Sequence, residues 1–268
     1  MTTLESSFAH PRVPLLDLLN LREQKRPFAL GLALGLALAA GAMRWLALPL
    51  WAATALVLAL LIPPASIKWR ADAWRYGRIA MVICILVMAQ GFHTLEHLAQ
   101  WYQYHVLRWP SFASGGLIST LNAEWVHFVW NWAVLLTVIF LVRGGMRNPW
   151  AWLLLAWTTV HTFEHSYMMA RYLMVLQDMR ALGITNVSAQ GLPGILGRDG
   201  WLATSQLTQG TFICRISGVT TAVRLDVHFW WNIGETILLL LAGNMYLQQF
   251  VQQRPVISSD RAPAAAIA

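Results

Sequence analysis

Two five-residue clusters, His93-Thr94-Leu95-Glu96-His97 and His161-Thr162-Phe163-Glu164-His165, each put two imidazoles and a carboxylate into an apolar run. Each is followed by a matched pattern, His127-Phe128-Val129-Trp130-Asn131 after the first and His228-Phe229-Trp230-Trp231-Asn232 after the second. Helical residues i and i+4 lie about 40° apart around the axis, so each His-x3-His pair can chelate one ion. Glu96 and Glu164 fall about 60° to the other side of the first histidine, where a carboxylate can ligate, bridge two ions, orient an imidazole or act as a base. The chemistry is that of a metal site with His93, His97, His127, His161, His165, His228, Glu96 and Glu164 as its ligands. Asn131 and Asn232, four residues after His127 and His228, are expected behind them, with Glu124 and Asp226 close by at the outer helix ends. Glu235 lies two turns deeper and has no counterpart in the other half. His10 and His105 match no pattern and read as surface residues.

What must position these groups is a membrane bundle. The chain is 57% hydrophobic and 12% charged with a mean hydropathy of +0.50, which is the membrane class. A net charge of +7 could suggest nucleic acid, but the basic residues sit in short clusters between apolar runs, and this excludes a nucleic-acid stripe. Cys84 and Cys214 form no C-x-x-C motif and no disulfide framework. Tryptophans near the ends of the apolar runs fit interfacial anchoring.

The expected architecture is all-α and polytopic, with about six transmembrane helices. Residues 1–27 form a cytoplasmic segment in which 13–21 could lie as an amphipathic helix on the membrane surface. Residues 28–64 hold two short spans, 28–44 and 48–64, turning at Arg44 and Pro49. A basic connection, 65–78, precedes the first histidine-bearing pair, 79–142, with spans near 79–107 and 122–142. The second pair, 149–250, has spans near 150–176 and 223–250 joined by a long extracytoplasmic loop, 177–222; a flexible tail, 251–268, follows. Helices three with four and five with six thus form two related pairs around an intramembrane polyhistidine site. Basic residues at the N-terminus, in 65–78, at Arg143 and Arg147, and in the tail put both termini in the cytoplasm of a multi-pass cell-membrane protein. With that topology His93 and His161 lie 15 and 14 residues from Arg78 and Arg147, and all four helices deliver histidine to a similar outer depth.

Ionisable residues at that depth are costly and usually functional. Each half supplies three histidines and a glutamate, which suits a non-haem dinuclear centre of two iron ions, with copper, zinc or manganese as alternatives. Such a centre implies an oxidoreductase acting on a lipid-soluble substrate, with an electron-donor protein as a possible partner beside the bilayer. Bis-histidine haem b is the first alternative, although haem needs one axial histidine per helix. A zinc-dependent intramembrane hydrolase, with Glu96 or Glu164 as catalytic base, and a divalent-metal transporter are the others. The His-x-x-Glu-His spacing is shared over five residues with the inverted zinc-protease motif, and no family follows from it.

Overall fold

The computed structural model describes residues 14–21, 24–118, 123–185 and 191–253. His10, Arg254, Arg261 and most of the expected tail lie outside them. Eight α-helices follow in order: α1 (Pro14–Leu19), α2 (Lys25–Leu46), α3 (Leu50–Tyr76), α4 (Arg78–His105), α5 (Glu124–Arg143), α6 (Pro149–Ala181), α7 (Trp201–Thr204) and α8 (Arg224–Gln253), with no strand among the described residues. Four of them, α2 to α5, are long and apolar enough to cross a membrane. α6 and α8 are 33 and 30 residues long but carry more polar side chains. Their outward faces are nevertheless apolar: Trp152, Leu153, Val160 and Phe163 on α6, and Trp230, Ile237 and Leu241 on α8, are exposed.

The bundle that holds the histidines is α4, α5, α6 and α8. Its closest packings are α5 on α6 and α4 on α8, then α6 on α8, while consecutive α4 and α5 touch only lightly. This corrects the expected pairing of the third helix with the fourth. Helices bearing a His-x-x-Glu-His motif pack mainly on the single-histidine helix of the other half, so each half reaches across the bundle. The core between them is closed by Ile83, Val138, Leu141, Leu154, Leu239 and Ala242, all fully or almost fully buried. At the start of α6, the Asn148 side chain accepts from the Ala151 amide at 3.0 Å and donates to the Ala242 carbonyl at 3.0 Å, so a helix cap also fixes α6 on α8.

α2 and α3 form a hairpin beside this bundle, with α3 in contact with α4. Gly31, Gly35 and Ala39 recur every four residues on α2, and a Cβ on Gly31 or Gly35 would stand only 3.0 Å from the Leu60 carbonyl oxygen or 3.2 Å from Val57 Cα. Small residues at that period let two apolar helices approach closely. Leu60 is the residue whose carbonyl Pro64 cannot bond, because proline has no N–H.

The basic connection expected over 65–78 is instead a continuation of α3, which runs through Pro63 and Pro64 to Tyr76. Lys68 and Asp72, one turn apart, form a buried ion pair, and Lys68 Nζ also donates to the Leu18 carbonyl. That bond secures α1, whose Leu15 and Leu18 are buried against α4 and α8. The segment expected to lie on the membrane surface is therefore packed on protein. A further correction concerns the long loop. α6 continues five residues past the expected end at 176, and the connection contains α7 and a 3-10 turn, Ile213–Arg215.

Candidate metal centre

The six motif histidines form one contiguous cluster. Ring centroids stand 4.7 Å apart for His93–His97, 5.4 Å for His93–His127 and 5.5 Å for His97–His127 in the first half. In the second half the separations are 4.9 Å for His161–His165 and 5.0 Å for His165–His228. Two parallel stacks join the halves, His97 on His228 at 5.9 Å and His127 on His165 at 5.3 Å. Each pairs the second histidine of one motif with the single histidine of the other half, as the crosswise helix packing requires.

Hydrogen bonds fix which ring nitrogen faces the cluster. An acceptor oxygen beside Nδ1 holds the proton there and leaves Nε2 as a bare lone pair. His161 Nδ1 faces Glu235 Oε2 at 2.8 Å, and His97 Nδ1 faces Gln100 Oε1 at 3.1 Å. His127 and His228 use the carbonyl four residues back, Ala123 at 3.4 Å and Arg224 at 3.1 Å. The buried Nε2 atoms of His161 and His228 and both ring nitrogens of His165 have no hydrogen-bond partner. Buried polar atoms without partners are costly, and imidazoles oriented from behind with Nε2 bare are what a metal ion recruits. The tightest group is His93, His97 and His127, whose donor atoms lie within 4.8 Å of one another. The Nε2 atoms of His93 and His97 are 3.3 Å apart. Two nitrogens about 2.0–2.1 Å from one tetrahedral ion stand about 3.3–3.4 Å apart, so this pair already has the spacing of two ligands.

The carboxylates behave differently from expectation. Glu96 Oε2 accepts from the amides of Leu117 (2.8 Å) and Ile118 (3.2 Å), and Glu164 Oε1 accepts from those of Ile195 (3.0 Å) and Leu196 (3.2 Å). Both glutamates are thus turned away from the rings and tie down the loop that follows their own helix. A glycine precedes the donor pair each time, Gly116 or Gly194, and a Cβ on either would overlap the carboxylate. One oxygen of each carboxylate thereby anchors a loop, while Glu96 Oε1 is buried without a hydrogen-bond partner. The physical reason is the helix: adjacent residues diverge by about 100°, so with His97 or His165 facing inward the preceding glutamate faces the loop.

The remaining expected groups also differ. Asn131 and Asn232 each donate Nδ2 to the carbonyl of His127 or His228 at 2.9 Å, bracing the histidine-bearing turn and not the ring. Glu124 pairs with Arg224 at 2.6 Å, and Asp226 pairs with His105 at 2.6 Å. Asp226 is therefore engaged away from the cluster, and His105 is half-buried in a hydrogen bond to it. Glu235, noted in the sequence two turns deeper than His228 but outside the expected ligand set, stands behind His161. One residue was missed. Gln90, fully buried one turn before His93, donates to Asn232 Oδ1 at 3.3 Å and accepts from Trp130 Nε1 at 3.1 Å, joining α4, α8 and α5 beneath the rings.

Two cavities reach the cluster. One of about 520 Å³, at the end of the bundle where α8 begins, is lined by His97, Gln100, His127, Arg224 and His228 and bordered by the 111–115 loop and Gly191. The other, about 780 Å³, lies against α3, α4 and α5 and reaches His93. No protein-family model matches the chain, and no curated protein or solved structure is similar to it.

Proposed function

We propose that this chain is an integral membrane metalloprotein in which the six histidines hold two transition-metal ions, iron foremost, and that it is an oxidoreductase for a lipid-soluble substrate. The observation that carries the reading is the set of inward nitrogens: His97, His127, His161 and His228 have Nδ1 occupied by an acceptor, and the Nε2 atoms of His161 and His228 are buried without a partner. Six nitrogen donors exceed what one catalytic zinc uses, so redox iron or copper fits better. Bound, the metal pair would supply electron transfer toward an oxidant such as dioxygen. The chain itself supplies the imidazoles, their tautomers and an apolar enclosure.

The alternatives lose specific support. A porphyrin has to slide between two axial imidazoles, and the gaps between these rings are filled by other imidazoles. A hydrolase needs a mobile carboxylate base, and one oxygen of each of Glu96 and Glu164 is held by two loop amides. The exposed apolar faces of α6 and α8 support six crossings in all, with both termini cytoplasmic as the basic residues direct.

Metal analysis of protein purified in detergent tests the proposal. About two transition-metal ions per chain are expected, with His97→Ala and His165→Ala each lowering the content. Folded wild-type protein that neither carries nor takes up metal would overturn it, and an intense Soret band would replace it with the haem reading.

A further inference from the structure

Resting on that metal reading, we infer that the 780 Å³ groove against α3, α4 and α5 binds the head group of a lipid-dissolved quinone, with a ring oxygen toward His93. The groove opens where α4 and α5 touch only lightly, on the side covered by α3. Its wall includes Trp51 and Leu58 of α3, Phe92 and His93 of α4, and Trp125 and Trp130 of α5. His93 is its only ionisable lining residue among the described residues. The one hydroxyl or amide side chain there among the described residues, Thr54, already donates to the Leu50 carbonyl at 3.0 Å.

That lining specifies its occupant. Among the described residues no Lys or Arg lines the groove, so a fatty-acid carboxylate or a phospholipid phosphate would enter unpaired, which is costly in an apolar wall. Four aromatic side chains suit a flat ring better than a flexible hydrocarbon chain. A neutral ring with one oxygen to offer the imidazole satisfies all three features, and the volume falls in the ordinary range for a small-molecule site.

The location explains why such a molecule should bind there. His93 stands at the groove, whereas His97 and His127 line the other, more polar cavity beside Arg224. The three-histidine group with the closest donor atoms therefore forms the partition between a lipid-side and a water-side compartment. An ion held by those nitrogens would be reachable by a membrane-dissolved reactant on one side and by water and protons on the other.

The experiment is photolabelling of the full chain in lipid nanodiscs with an azido-benzoquinone, followed by peptide mapping. Label is expected on the α3, α4 and α5 peptides that line the groove and is expected to be competed away by excess decyl-benzoquinone. Ala55→Trp, which fills the groove from α3, should weaken labelling by about tenfold, the change that ~1.4 kcal/mol of exclusion produces, without altering metal content. Ala89→Phe fills it from α4 and serves if the first variant does not fold. Label that is not competed, that maps elsewhere, or that survives a folded filled-groove variant overturns the inference. Competed label in a chain that binds no metal would leave the groove standing and remove the metal reading; metal without competed label would do the reverse.

Discussion

Replacing Gly194 by alanine should release the 191–223 connection from α6. Gly194 has no strained backbone to account for its identity; a methyl group there would overlap the Glu164 carboxylate and stand 2.9 Å from its Cδ. The carboxylate must then move, and the amides of Ile195 and Leu196 lose their acceptor. Hydrogen bonds to a charged group are worth about 1.5–3 kcal/mol each, so losing two, with partial recovery by water, should cost about 3 kcal/mol. Hydrogen exchange reads this directly: 3 kcal/mol is about a hundredfold faster exchange at Ile195 and Leu196. Glu164→Ala should give the same loss. The double variant should cost little more than either single one, because the methyl occupies space the carboxylate has left. Gly91→Ala is the control, since a Cβ on that α4 glycine meets nothing within 4 Å; alanine there should be neutral or stabilising by about 0.5–1 kcal/mol. Unchanged protection in Gly194→Ala, or fully additive costs in the double variant, would refute the clamp.

Two further outcomes follow from buried pairs. Glu235→Gln removes the charge behind His161 and should weaken metal binding by about 10- to 100-fold in a chelator competition, while Asp226→Asn, whose partner is His105, should leave it unchanged. Lys68→Ala strands Asp72 in the interior and should lower stability by about 3–5 kcal/mol in a thermal unfolding series, whereas replacing the pair together by methionine and leucine should recover most of the loss.

The histidine set was legible because it is written twice: spacing put each pair on one helical face, and hydropathy made any other use of six imidazoles expensive. Spacing alone could not tell what a glutamate 60° away would meet. Its partners are amides in loops 21 and 31 residues downstream, at Leu117 and Ile195, and the only written trace is the short match between Gly116-Leu117-Ile118 and Gly194-Ile195-Leu196. A span ending at 64 with a basic connection after it makes Lys68 and Asp72 loop charges; their i,i+4 spacing is the clue that the helix continues. The crosswise packing of α4 on α8 and α5 on α6 had no signature at all, because four apolar helices can ring a shared centre in more than one order.

Glu96 beside His97 and Glu164 beside His165 have one more implication, a mechanical one. Consecutive side chains point about 100° apart, so a small roll of α4 or α6 about its own axis that swung the imidazole out of the cluster would also pull the glutamate off its loop. Each helix is thereby held against rotation by two contacts on different sides, one to neighbouring rings and one to backbone amides. A centre built on two such torsionally locked helices should arrive at its first ligand already shaped. It should choose among ions by how well each tolerates a fixed geometry, because the bundle has little freedom to adapt to them.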